Sequence, residues 1–293
     1  MTLDEWRRFY AEEIRILANL PSSALVEAFA SVPRERFFGS GPWQIASPEQ
    51  AVATNSLASS VYVTTHDPRD LCHNVLIAID SARFLNNGQP SALARWIDAL
   101  DLKKGERAFH LGCGVGYYTA ILAELVGPQG SVVAVELDPS IAACAKGNLA
   151  SYTNVTVHAG DGAELDPGPC DAMLINAGVT HPHETWLDRL TEGGRLVLPL
   201  TAALGSTSFG SGVMAKIVRR RRGLAARVVT QMMIYSCTSV RDPRLEAPLG
   251  KALATRKLLE MKSVRLDAHE EGEACLLHST KMCLSACACE GES

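Results

Sequence analysis

The sequence predicts an α/β protein built on a doubly wound, mostly parallel sheet, and three observations carry that prediction. Short apolar runs at 106–111, 131–137, 155–161, 171–178 and 195–199 have the length and composition of strands buried on both faces. Segments with helical spacing alternate with them, 119–125 being the clearest. Between the first strand and its helix lies Gly112-Cys113-Gly114-Val115-Gly116, and strand, glycine-rich turn and helix in that order form a ligand-binding unit.

From the start of the chain, residues 4–18 carry Trp6, Phe9, Tyr10, Ile14 and Leu17 near one helical face, a stripe expected to pack into a core. A second helix is expected over 22–30, ahead of Pro33. Residues 39–55, with Gly41-Pro42 and Ser47-Pro48, read as loop, and 61–63 as a short strand. Asp67-Pro68-Arg69-Asp70 is a helix-start signature, so 71–83 is expected to be helical. Asn86-Asn87-Gly88 has the composition of a turn before a helix at 92–100.

The glycine turn opens the ligand question. Glycine admits backbone conformations that a Cβ forbids and lets a ligand approach the chain closely. Glu136, about twenty residues after the last glycine, stands where a carboxylate accepts hydrogen bonds from ribose hydroxyls. A pyrophosphate fingerprint wants glycine where this chain has Tyr117, so the spacing suits an adenosine ligand without a diphosphate, namely S-adenosyl-L-methionine. Asp161 ends the third strand and Asn176 the fourth, and ligands in open α/β sheets bind beyond these ends. The expected cofactor set is therefore His110, Gly112, Gly114, Gly116, Tyr117, Glu136, Leu137, Asp161, Gly162 and Asn176. Asp161 is equally well explained as a turn residue before Gly162. Gln89 and Ser91 are expected over the sulfonium centre, Ser91 also capping the helix that follows.

After the fourth strand, His181 and His183 stand two residues apart, a poor start for a metal site without a third ligand. His181 is the candidate general base or positioning group, with Asn176 beside it. A helix is expected over 185–190, a flexible connection over 201–212, and a hairpin over 213–235 with Arg219 to Arg222 at its basic tip. Beyond it, 247–261 reads as helix and 262–266 as strand. Cys275, Cys283, Cys287 and Cys289, with His269 and His278, raise the question of zinc. No two of these cysteines have the two-residue gap of a zinc knuckle, so no metal is expected and the tail reads as a strand pair with reduced thiols.

The motifs together resemble a known family. The run from His110 to Gly116, the Glu136 strand, Gly160-Asp161-Gly162, and the segment 190–200 are similar to class I S-adenosylmethionine-dependent methyltransferases. Val32-Pro33-Arg34-Glu35-Arg36-Phe37 and Asn87-Gly88-Gln89-Pro90-Ser91 resemble, more narrowly, the protein-L-isoaspartate O-methyltransferase group. The resemblance spans about 25–235 and implies a seven-stranded Rossmann-like sheet with an antiparallel edge. Two departures stand out. His110 replaces the acid that usually starts the glycine motif, and a Thr-Ile-Ser portion that helps build the substrate site is missing between Gln89 and the first strand.

With 293 residues, 47% hydrophobic and 20% charged, the chain has enough apolar mass for one large core with additions at each end. We expect an N-terminal helical cap and substrate-side segment at 1–100, a cofactor-binding domain at 101–238 and a C-terminal extension at 239–293. The net charge of −4 gives no electrostatic reason to expect nucleic acid or an anionic membrane. The absence of a signal-like segment makes a cytoplasmic location the expectation, and nothing in the sequence sets the oligomeric state. The expected activity is methylation of a protein or peptide carboxylate, isoaspartyl or aspartyl. Alternatives are a small-molecule or RNA methyltransferase, or a catalytically inactive module that retains the cofactor.

Overall fold

The computed structural model describes residues 1–47, 61–205 and 207–289. Helix α1 (Leu3–Ala18) starts with a capping box: the Glu5 N–H donates to the Thr2 hydroxyl while the Thr2 N–H donates to the Glu5 carboxylate. Its buried side is Tyr10, Ala11, Ile14 and Ala18, whereas Phe9 and Leu17 of the expected stripe are exposed. Helix α2 (Ser23–Ser31) follows, capped by Ser22. Part of the expected loop is a strand: β1 (Trp43–Ala46) pairs antiparallel with β2 (Tyr62–Thr65), and the rest of that expectation, 48–55, lies outside the described residues.

The helix expected at 71–83 is replaced by a single 3-10 turn, Pro68–Leu71, and an antiparallel pair, β3 (Ala78–Asp80) with β4 (Leu85–Asn86). The reason lies far away in sequence. Carbonyls of Leu71, His73 and Val75, which a helix would use internally, accept hydrogen bonds at 2.8–3.0 Å from the buried Arg34 guanidinium. A fully buried, planar, five-donor cation holds that stretch open.

From here the order is α3 (Pro90–Leu100), β5 (Arg107–Leu111), α4 (Tyr117–Val126), β6 (Ser131–Glu136), α5 (Pro139–Asn148), β7 (Val155–Ala159) and β8 (Cys170–Ile175). Then come α6 (Glu184–Arg189), β9 (Leu190–Ala203), β10 (Phe209–Arg220), β11 (Gly223–Tyr235), α7 (Pro243–Ala254), β12 (Ser263–Arg265), β13 (Cys275–His278) and β14 (Cys283–Ser285). The supposed flexible connection at 201–212 is mostly strand, because β9 and β10 run on until a short turn joins them.

The main sheet has the order β13-β14-β12-β11-β10-β9-β8-β5-β6-β7. Where seven strands were expected, the sheet has ten among the described residues, β12, β14 and β13 extending it beyond β11. It is also less parallel than expected. The four links among β7, β6, β5, β8 and β9 are parallel, and the other five are antiparallel. Strand β12 covers the β11 edge at Leu224↔Val264 and Ala225↔Ser263, satisfying backbone groups that would otherwise be open.

The alternation of side chains sorts the core into two layers. Ala108, Val132, Ala134, Ala172 and Leu174 face the layer formed with α1 to α4. Phe109, Val135, Met173 and Ile175 face the layer that contains Trp186 and α7. Both faces of the parallel strands are thus covered, as their continuous apolar runs require. Among the described residues, no helix is long and apolar enough to cross a membrane.

Candidate cofactor and acceptor site

Strand β5 ends at Leu111, and the chain turns sharply into α4 through Gly112, Gly114 and Gly116, whose φ values are +72°, +54° and +92°. A Cβ on Gly112 would sit 3.1 Å from the Asn176 carbonyl oxygen, and one on Gly116 would lie 2.7 Å from Leu149. These positions require glycine both for conformation and for space. The Gly112 and Cys113 N–H groups donate to the Val135 carbonyl at 2.9 and 3.1 Å, locking the turn to β6.

Glu136, the last residue of β6, reaches back to this turn. Its Oε2 accepts the Gly114 N–H at 2.9 Å and its Oε1 accepts the Asp138 N–H at 3.2 Å. Each carboxylate oxygen has two lone pairs, so acceptor capacity remains on both for the hydroxyls of a ribose. Leu137, next along, is half exposed and offers an apolar surface beside it. Asn176, at the end of β8, donates its N–H to the Leu111 carbonyl at 2.8 Å and its amide to the Gly112 carbonyl at 3.4 Å. The structure thus brings Gly112, Gly114, Glu136 and Asn176 together at the carboxyl ends of β5, β6 and β8. A glycine cradle that a Cβ would fill, bordered by an acceptor with free lone pairs, fits an adenosine-bearing ligand.

Other expected members occupy different positions. Asp161 caps the following turn, its Oδ1 accepting the Ala163 N–H at 2.9 Å and the Ser239 hydroxyl at 2.9 Å, so the turn role is the one seen. Gly162 packs against Leu111 and Val135 so closely that a Cβ would come within 2.7 Å of each. The Tyr117 ring is fully buried among Tyr10, Phe29 and Phe37, with its hydroxyl 3.3 Å from that of Tyr10. Only its backbone, at the start of α4, remains for a ligand.

His110 shares its face of β5 with Ala108, beneath α4, and is fully buried. Its Nδ1 lies 2.9 Å from the Thr119 hydroxyl, and burial pushes its pKa down to about 3, so the imidazole is neutral. Its Nε2 is buried without a hydrogen-bond partner among the described residues.

At the start of α3, Gln89 and Ser91 are joined by Asn74, a residue that sequence reasoning had placed within a helix. The Gln89 amide donates to the Asn74 carbonyl at 2.6 Å, and the Ser91 N–H donates to the Asn74 side chain at 2.9 Å. Ser91 is therefore not the helix cap. The helix starts one residue earlier, at Pro90, whose fixed φ suits a first turn. The β3–β4 pair lies against the glycine turn, with Ile79 3.4 Å from a Cβ placed on Gly114. Arg83 ties this pair to Asp138, just beyond Glu136, at 3.0 Å. A cleft of about 600 Å³ opens there, lined by Phe38, Trp43, Gln44, Thr64, Ile79 and Arg83 among others. Neither Ile79 nor Arg83 carried a sequence signal, because both come from the stretch whose fold Arg34 decides.

His181 is half-buried, with its Nδ1 2.9 Å from the Thr180 hydroxyl, and that hydroxyl accepts the Asp242 N–H at 2.9 Å. The hydroxyl keeps its proton and a second lone pair, so it can pair with either tautomer of the neutral imidazole. Burial lowers the His181 pKa below its ordinary value, so this neutral form persists at physiological pH.

With this geometry in view, the likenesses to known proteins become informative. Residues 13–210 match the family described as protein-L-isoaspartate(D-aspartate) O-methyltransferase. Protein-L-isoaspartate O-methyltransferase 1 of Archaeoglobus fulgidus is 33% identical over 204 residues, covering 68% of this chain and 82% of that protein. A solved protein-L-isoaspartate O-methyltransferase superposes with a TM-score of 0.61 at 20% identity, covering 95% of this chain and 88% of the other. A Plasmodium falciparum structure described as that enzyme in complex with S-adenosyl-L-homocysteine gives 0.57 at 15% identity, over 79% of this chain and 98% of its own. At such identities the two structures speak for the fold alone.

Proposed function

The chain belongs to the protein-L-isoaspartate(D-aspartate) O-methyltransferase family, and on that premise we propose that it moves the methyl group of S-adenosyl-L-methionine onto a side-chain carboxylate, isoaspartyl or aspartyl, of a protein or peptide. The observation that carries the cofactor assignment is the Glu136 carboxylate resting on the Gly114 N–H with lone pairs to spare. Gly112 and Gly114 admit the ligand against the backbone, Glu136 holds its ribose, and Leu137 borders its adenine.

S-adenosyl-L-methionine supplies an electrophilic methyl group on a leaving group that departs as a neutral thioether. The protein's part is then alignment and the exclusion of water. A carboxylate acceptor is already ionised at neutral pH, so no side chain has to remove a proton. His181 is held through its Nδ1 by the Thr180 hydroxyl at 2.9 Å, and burial lowers its pKa. We assign His181 to positioning. The cleft beside Ile79 supports an acceptor as large as a peptide segment, and the Asn74 link fixes Gln89 and Ser91 at the start of α3.

Incubation with methyl-labelled cofactor tests the proposal, with isoaspartyl peptide, aspartyl peptide and a cell extract as acceptors. Base-labile label on peptide or protein is the expected product. Stable label on RNA or a small molecule would point to the other methyltransferase readings. Tight cofactor binding with no transfer to any pool would mark an inactive module.

The pH profile provides a second check. Because the His181 pKa lies below its ordinary value of about 6.5, the residue gains its proton only on the acid side of that point. The kcat/KM for an isoaspartyl peptide should therefore stay level from about pH 8 to about pH 6.5 and fall only as the acceptor carboxylate protonates, near pH 4. His181→Gln should stay within about tenfold of the parent. An acid limb near neutrality that vanishes in His181→Gln would make this residue the base.

A further inference from the structure

From the C-terminal strands we infer a structural zinc site formed by His269, Cys275, His278 and Cys283. Each of the four presents a ligand atom, and these atoms all lie within 4.8 Å of one another. Two neutral imidazoles and two thiolates form one of the standard donor sets for tetrahedral zinc.

The backbone explains how residues without a knuckle motif come together. Cys275 and His278 are three apart on β13, a spacing that in a regular strand would send them to opposite faces. The register shifts between Cys275 and Leu277, and the extra residue of this bulge returns His278 to the face of Cys275. Cys283 of β14 stands directly across from His278 in the register, and Cys275 opposite Ser285. His269 closes the group from the preceding loop, its ring edge-on to that of His278 with centroids 4.8 Å apart. Its Nε2 lies 3.6 Å from the Cys275 sulfur. Zinc–sulfur and zinc–nitrogen bonds of about 2.3 and 2.05 Å at a tetrahedral angle put sulfur and nitrogen about 3.6 Å apart.

The surroundings also suit a metal. His269 Nδ1 lies 2.9 Å from the Asp267 carbonyl, which fixes the tautomer with Nε2 free to bind, as the outer partners of zinc histidines commonly do. The Gly272 N–H donates to the Cys275 sulfur at 3.4 Å. His278 Nδ1 is buried without a hydrogen-bond partner among the described residues. Cys283 is fully buried, between Met282 and Leu284 of the core. Four protein ligands leave no open position, so the role is to pin the loop and the β13–β14 hairpin, not to catalyse. In the sheet, six strands separate β13 from β5 and the glycine turn.

The test is metal analysis of the full chain, expressed in zinc-supplemented medium, freed of any affinity tag and kept reduced. About one zinc per chain is expected. Cys275→Ser and His269→Gln should each lose most of it, while Cys287→Ser, outside the group, should keep it. Cobalt(II) exchanged into the parent protein should give the intense visible bands of a tetrahedral thiolate site, weakened in Cys275→Ser. The melting temperature should fall on chelation, while S-adenosyl-L-homocysteine affinity, titrated in the same samples, should change less than about threefold. A folded parent that takes up neither zinc nor cobalt would overturn the inference. So would zinc retained in both ligand variants, or a Cys275–Cys283 disulfide found by mass mapping of the protein as isolated. These readouts need no methyl acceptor, so their failure is separable from a failure of the methyltransferase assignment.

Discussion

Arg34→Ala is expected to destabilise the folded protein by about 3–5 kcal/mol, on the order of 10 °C in melting temperature. Arg34 is fully buried, and its guanidinium serves three backbone carbonyls from a stretch some forty residues away. It also lies against the rings of Tyr10, at 5.4 Å, and Tyr117, at 5.7 Å. Removing it leaves carbonyls without donors in a dry interior, at about 1–3 kcal/mol each before the site relaxes, as well as a cavity. Arg34→Lys should recover only part of the loss, because a single ammonium cannot copy the planar fork.

The effect should reach the cofactor site. Tyr117 opens α4, and the β3–β4 pair beyond Val75 packs on the glycine turn, so weaker binding of S-adenosyl-L-homocysteine should accompany the lower stability. Urea unfolding and calorimetric titration measure the two. A variant within about 1 kcal/mol of the parent would mean that 71–77 does not depend on this cation.

Glu136→Ala should weaken binding of S-adenosyl-L-methionine and its demethylated product by about 1–3 kcal/mol, roughly five- to 150-fold. Glu136→Gln should be about as costly, which separates this site from one that needs only an oxygen. Both carboxylate oxygens already accept backbone N–H groups, from Gly114 and Asp138. An amide must therefore turn its NH₂ toward one of these donors, losing that hydrogen bond and unsettling the turn. Melting temperatures close to the parent value would show that the fold survives. Equal affinities for the parent and both variants would remove Glu136 from the cofactor site.

The parts of the site that are local in sequence were legible without coordinates. The glycine turn, Glu136 and Asn176 lie at the ends of successive buried strands, and the parallel sheet gathers such ends in one place. The acceptor side was not legible. A start signature at Asp67 suggested a long helix, yet Asp67 caps one turn only and Arg34 takes the carbonyls that a helix would need. His110 looked like a cofactor contact because of its place in the motif. Alternation along β5 instead sets it on the face it shares with Ala108, beneath α4 and against Thr119.

The C-terminal strands teach the same lesson. Counting gaps between cysteines could not foresee a bulge that re-aims His278 or a strand partner that supplies Cys283. The sequence by itself determined the succession of strands and helices in the parallel half, the glycine turn and the carboxylate beside it, because each depends on residues within a few positions or on a short period. The tertiary structure alone decided the shape of 71–86, the direction of His110 and the meeting of His269, Cys275, His278 and Cys283. In each of those a distant donor, a covering helix or a neighbouring strand outweighs the local preference.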